Sequence, residues 1–162
     1  MTGRPRPRWV WPVGVVAAAG VVVAAVVALW PDPEPAPRAR EYRDYDVCLL
    51  TGERGLADTQ AAAVWAGAQR VSEQRKVRVM YLAVTGEQTP QRAAEVLASL
   101  VARDCEIIVA VGSAPVAAVA AEKGRYPDAT IVAVGNDIDA SSDERITQST
   151  VDVLLRLVPE AR

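Results

Sequence analysis

Four short clusters of small polar residues stand where chemistry is most easily placed in this 162-residue chain. They are Thr51, Gly52 and Glu53; Thr85, Gly86 and Glu87; Gly112 and Ser113; and Asn136 and Asp137. Each directly follows an apolar, β-branched run. Glycines permit close backbone approach, and the hydroxyls, amide and carboxylates offer hydrogen bonds. That combination suits capture of a small polar solute at the ends of strands. Ser113 also opens a helical pattern, where free N–H groups can hold an anion. The structural alternative is that these residues only end strands and cap helices.

Catalytic constellations are missing. The chain has no histidine, which removes the usual general base, metal ligand and proton switch. The segment GERGLAD after the first run lacks the lysine and spacing of a phosphate-binding loop. Serines have no activating partner, and Glu53, Asp58 and Glu87 show no sign of a tuned carboxylate pair. A phosphorelay receiver would need clustered acids at the strand ends and a late lysine. Gly52 takes one acidic place, and no lysine follows Lys123. The expectation is therefore a non-enzyme without metal or cofactor. A net charge of −2 provides no footprint for nucleic acid.

The elements that must position these clusters alternate. Tyr45–Thr51, Val77–Val84, Cys105–Val111 and Thr130–Val134 read as buried strands, each closed by glycine. Between them, Asp58–Gln74 has apolar residues near the helical period, with Asp58 or Thr59 as cap. Thr89 and Pro90 open a second helix, and Ser113 and Pro115 a third over Ala114–Lys123, ended by Gly124. Continuous apolar strands alternating with helices predict a three-layer, doubly wound α/β domain with a parallel sheet of order 2-1-3-4-5. Residues Ile146–Leu157 fit a fifth strand or a closing helix. The spacing of Val151, Leu154, Leu155 and Val158 favours the helix, with room for a short strand before it.

Cys48 lies in the first strand and Cys105 opens the third, and these are neighbours in a 2-1-3 sheet. They form either a disulfide, worth about 3–4 kcal/mol in the chain-entropy model, or two small buried hydrophobes. Exported proteins favour the first.

Trp9 to Trp30 contains no charged side chain, and Arg4, Arg6 and Arg8 precede it. As a helix it is about 33 Å long, enough to cross a hydrocarbon core, with Trp9, Trp11 and Trp30 at headgroup level. It is too long for the apolar part of a cleaved signal and reads as an uncleaved signal-anchor. Arg38, Arg40 and Arg43 on the far side tie the count of basic residues, so charge alone leaves the direction open. Pro31, Pro33, Pro35 and Pro37 make the next stretch an extended spacer. The expected organisation is a basic cytoplasmic tail (1–8), a transmembrane helix (9–30), a proline-rich linker (31–44) and an extracytoplasmic α/β domain (45–162).

From Tyr45 to about Asn136 the chain resembles the amino-terminal lobe of the basic membrane protein family, solute-binding proteins of ABC importers, often for nucleosides. The stretches LLTGERGLADTQAAAVWAG (49–67), DCEIIVAVG (104–112) and YPDATIVAVGN (126–136) carry the resemblance. It implies a single periplasmic-binding-protein-like lobe, a domain facing outward and a permease or second lobe as partner. Departures accompany it. The family's first-strand aspartate falls on Gly52, its stacking aromatic on Gln60, its asparagine on Ala61 and its fourth-strand aspartate on Gly135. Trp65 and Gly67 match as packing residues. Two functions are thus expected: a membrane-anchored domain binding a small polar solute, or a lobe without solute that serves as a protein-interaction module at the cell envelope.

Overall fold

The computed structural model describes residues 42–160, apart from the side chain of Lys123. The basic tail, the apolar run and most of the proline-rich spacer lie outside the described residues. Among those described, no helix is long and apolar enough to cross a membrane.

Four parallel strands form one sheet in the order β2-β1-β3-β4: β1 Asp46–Thr51, β2 Arg78–Ala83, β3 Ile107–Ala110 and β4 Thr130–Ala133. The central pair, β1 and β3, is buried along almost its whole length, as expected of strands covered on both faces. The outer strand β2 is half-exposed throughout.

Helices α1 (Thr59–Arg75) and α4 (Asp143–Leu157) cover one face. Their Val64, Ala68, Val71, Ile146, Val151 and Leu154 pack on Val47, Leu49, Ile107 and Val109. Helices α2 (Pro90–Val101) and α3 (Ser113–Glu122) cover the other. There Ala93, Leu97, Leu100, Ala118 and Val119 meet Cys48, Leu50, Ile108 and Ile131. The α/β class, the parallel sheet and the order of its first four strands agree with the sequence.

Local chemistry sets the helix starts. The Asp58 carboxylate accepts the N–H groups of Gln60 and Ala61 at 3.0 and 3.3 Å. Thr89 Oγ1 accepts from Arg92 N–H at 3.2 Å, with Pro90 at the first helical position. Ser113 departs from expectation. It is the first residue of α3 rather than its cap, because the Gly112 carbonyl already accepts the Val116 N–H at 3.0 Å. Gly124 falls inside a short 3₁₀ turn, Lys123–Arg125, after α3 ends at Glu122.

The fifth strand is a correction: none forms among the described residues. After β4 the chain turns back at once. The Gly135 N–H donates to Ile138 O at 2.9 Å, and Asp137 Oδ2 accepts the Ala133 N–H at 2.8 Å. Only an isolated bridge links Ile138 to Val134. The next residues favour turns. Asp139 accepts the Ser141 N–H at 2.9 Å, a bond that, with Arg145 nearby, holds its pKa below the ordinary carboxylate value. Ser142 then caps α4 through the Arg145 N–H.

Cys48 and Cys105 are bridged, with Cα atoms 6.0 Å apart. Cys105 stands before β3 rather than in it. Asp104 has φ 59°, and the Cys105 N–H reaches back to Leu100 O at 3.3 Å. The bridge therefore ties the middle of β1 to the turn after α2. A closed loop of this size contributes about 4 kcal/mol in the chain-entropy model.

Gly67 sets the spacing of α1 and α4. A Cβ there would lie 2.7 Å from Thr147 O and 2.8 Å from Thr150 Cβ. The Thr147 hydroxyl lies 3.1 Å from the Ala63 carbonyl at the same crossing. Replacing glycine by alanine in an open helix gains up to about 1 kcal/mol. Here the clash is with backbone and dominates. Gly67→Ala is expected to lose about 1–3 kcal/mol in denaturant unfolding. Unchanged or raised stability would contradict this close crossing.

Candidate functional site

The carboxyl edge of the sheet holds the candidate site. From β1 the chain crosses to β2 on one side, and from β2 it crosses back past β1 to β3. The connections leaving β1 and β3 thus diverge, and a crevice opens between the two strand ends, the usual ligand position in open α/β sheets.

The crevice has a volume of about 310 Å³. Gly52, Glu53 and Arg54 line it from the end of β1, Asp58 and Ala61 from the first turn of α1, and Gln88 from the segment before α2. Val111 to Pro115 close the opposite side. Gly112 has φ 95°, a left-handed backbone conformation that favours glycine, and it faces Gly52 across the crevice floor.

Among the predicted residues, Gly52, Glu53, Gly112 and Ser113 come together in this crevice. Thr51 lies just beneath it. It is fully buried, and its hydroxyl has no hydrogen-bond partner among the described residues. Gln60 sits on the first turn of α1 but does not line the crevice; its neighbours Asp58 and Ala61 do. Gly86 and Glu87 are exposed in the β2–α2 loop, outside the lining. Asn136 and Asp137 belong to the tight turn after β4, and the Asp137 carboxylate is used on the Ala133 N–H. The structure does not bring these residues to the crevice.

Arg54, Asp58 and Gln88 also line the crevice outside the expected set, and Gln88 is the one that joins two strand ends. Its Oε1 accepts the Glu53 N–H at 3.0 Å, and its Nε2 donates to Val84 O at 2.8 Å and Gly86 O at 3.1 Å. One side chain thus clasps the carboxyl ends of β1 and β2. Its position just before the Thr89 cap is the only local signal.

The chemistry on offer is mixed. Glu53 and Asp58 provide carboxylates. Arg54 provides a guanidinium whose Nη2 donates to Ala57 O at 2.9 Å. The N–H groups of Ser113 and Ala114 precede the first intrahelical bond of α3, and Pro115 has none to offer. Asp58 already caps α1. The crevice can therefore present acceptors from one wall and main-chain donors from the other. Among the described residues, no group of three or more potential metal ligands converges.

No protein-family model and no curated protein matches the chain. Among solved structures it is similar to the mannose/sorbose-specific IIA subunit of the phosphotransferase system from Enterococcus faecalis. The two are 16% identical over 74% of this chain and 100% of that one, at a TM-score of 0.38. A likeness of that size says nothing about ligand or activity.

The clasp has a measurable consequence. Gln88→Ala leaves the Glu53 N–H without its acceptor, so stability is expected to fall by about 1 kcal/mol. Amide exchange at Glu53 should accelerate while the Leu49 amide in the middle of β1 keeps its protection. Unchanged exchange at Glu53 would show that the clasp is not formed.

Proposed function

We propose that the chain is a membrane-anchored, extracytoplasmic domain built like one lobe of a solute-binding protein, and that it holds a small polar solute in the crevice between β1 and β3. The observation that supports this most directly is the open crevice at the point where the crossovers part, with Gly52, Glu53, Gly112 and Ser113 around it. Its volume lies at the small end of the range for ligand sites. The main-chain donors at Ser113 and Ala114 suit an acceptor on the solute. Glu53 and Asp58 suit hydroxyl or amine donors on its other side.

Anchoring and direction draw on other features. The uncharged run from Trp9 to Trp30 suits a single membrane span. The Cys48–Cys105 bridge suits an oxidising compartment. The resemblance to importer binding proteins supports the same side of the membrane and makes a permease or second lobe a fitting partner. The second reading, a protein-interaction module at the envelope, is favoured by a different place, the outer edge of β2, which pairs with no further described strand and carries exposed Tyr81.

The test is a thermal-shift screen of the full chain in detergent against nucleosides, amino acids and polyols. A solute at a hundred times its Kd stabilises by about 2.7 kcal/mol, which moves the transition by several degrees. Ser113→Trp, at an exposed position on the crevice wall, should abolish the shift while leaving unliganded unfolding nearly unchanged. No stabilisation by any class, or a shift that survives Ser113→Trp, would overturn the reading.

A further inference from the structure

Strand β2 is an outer strand that pairs with β1 and with no other described strand. The Arg78 N–H donates to Tyr45 O at 3.0 Å and the Val84 N–H to Thr51 O at 2.9 Å. In a parallel ladder the pattern alternates along the strand. Arg78, Met80, Leu82 and Val84 therefore turn their main-chain groups toward β1. Val79, Tyr81 and Ala83 turn theirs outward, where no described strand meets them.

Outer strands are usually guarded by charge, proline or a bulge. The run from Val79 to Ala83 has none of these, and its side chains are partly exposed on both faces. Tyr81 is 44% exposed. Its ring stands edge-on to Trp65 on α1, with centroids 5.8 Å apart. Beside the amino end of the strand lies a groove of about 460 Å³, lined in part by Gln69, Arg78, Val79 and Met80.

We propose that a second copy of this chain covers the edge, β2 pairing antiparallel with its own counterpart about a two-fold axis through Tyr81. This is independent of solute binding in the crevice. Three features select this occupant and register. The outward main-chain groups are centred on Tyr81, so an axis there matches Val79 with Ala83 of the copy and Tyr81 with itself, each pair exchanging both hydrogen bonds. The two tyrosines become an aromatic cross-strand pair on the Trp65 face. Charge agrees as well. Arg75, Lys76 and Arg78 flank the amino end of the strand, and Glu87 follows its carboxyl end. Arg75 already pairs with Glu160, and Arg78 with Asp44 and Asp46, so exposed Lys76 and Glu87 are left to choose the direction. An antiparallel copy brings unlike ends together, and a parallel one would stack like on like. The product is an isologous dimer with one continuous sheet.

Native mass spectrometry of the full chain released from detergent tests the arrangement, together with amide exchange. The expected result is a dimer, with Val79, Tyr81 and Ala83 amides exchanging about tenfold or more slowly than exposed loop amides although no described residue of their own chain accepts them. Tyr81→Lys places two cations on the axis and should yield a monomer in which these amides exchange rapidly. Should that variant fail to fold, Tyr81→Cys treated with a short bis-maleimide keeps the question open to measurement. Cross-linking is expected there and not for Gln91→Cys on α2. A monomeric wild-type chain, a dimer that survives Tyr81→Lys with normal folding, or cross-linking no better at position 81 than at 91 would each overturn the proposal. So would protected edge amides in a monomer, which would point to another occupant.

Discussion

The parting of the chain's two crossovers at the carboxyl ends of β1 and β3 is the constraint on which the rest of the structure depends. β1 must lie between β2 and β3, so it is buried on both faces and flanked on both edges. Its apolar run Val47–Leu50 satisfies that demand, and the bridge from Cys48 to Cys105 ties it to the turn that delivers β3. Because the chain leaves β1 and β3 in diverging directions, no described element fills the space above Gly52 and Gly112. The crevice follows from topology, and its lining follows from which residues end those strands.

Much of this frame was legible in the sequence because its causes are local or periodic. The buried strands announced themselves as β-branched runs closed by glycine. Asp58 and Thr89–Pro90 marked helix starts through hydrogen bonds within three residues. The tail after β4 was less legible: Val151, Leu154, Leu155 and Val158 have helical spacing, but the short stretch before them left room for a strand. The crossing at Gly67, too close for any side chain beside Thr147 and Thr150, decides for a helix on the α1 face. Before it, the turn at Gly135–Asp137 and the Asp139–Ser141 bond use up the residues that a fifth strand would have needed.

The site was legible only where topology alone determines it. Gly52, Glu53, Gly112 and Ser113 follow the two inner strands, so reasoning from strand ends places them together at the crevice. Asn136 and Asp137 follow an outer strand, and their turn lies outside the crevice lining. Gly86 and Glu87 follow the other outer strand and stay in solvent. Gln60 entered through resemblance, and the structure places its neighbours at the crevice instead. Gln88 was invisible because its function is defined by a main-chain donor 35 residues away. A glutamine that clasps two strand ends looks, in sequence, like any polar residue before a helix.

Two surfaces result: a crevice of mixed lining at the strand ends, and a partly exposed apolar outer strand that meets no described strand on its far side. Capture of a solute in the crevice is tested most directly by amide chemical shifts. Full-length, isotopically labelled chain in micelles would be titrated with the same nucleosides, amino acids and polyols. The account predicts that at least one class shifts the amides of Gly52, Gly112, Ser113 and Ala114 together in a saturable manner, while Gly86 and Asn136 stay in place. Resonances at the crevice that remain unmoved by every class, or saturable shifts gathered elsewhere on the domain, would contradict it.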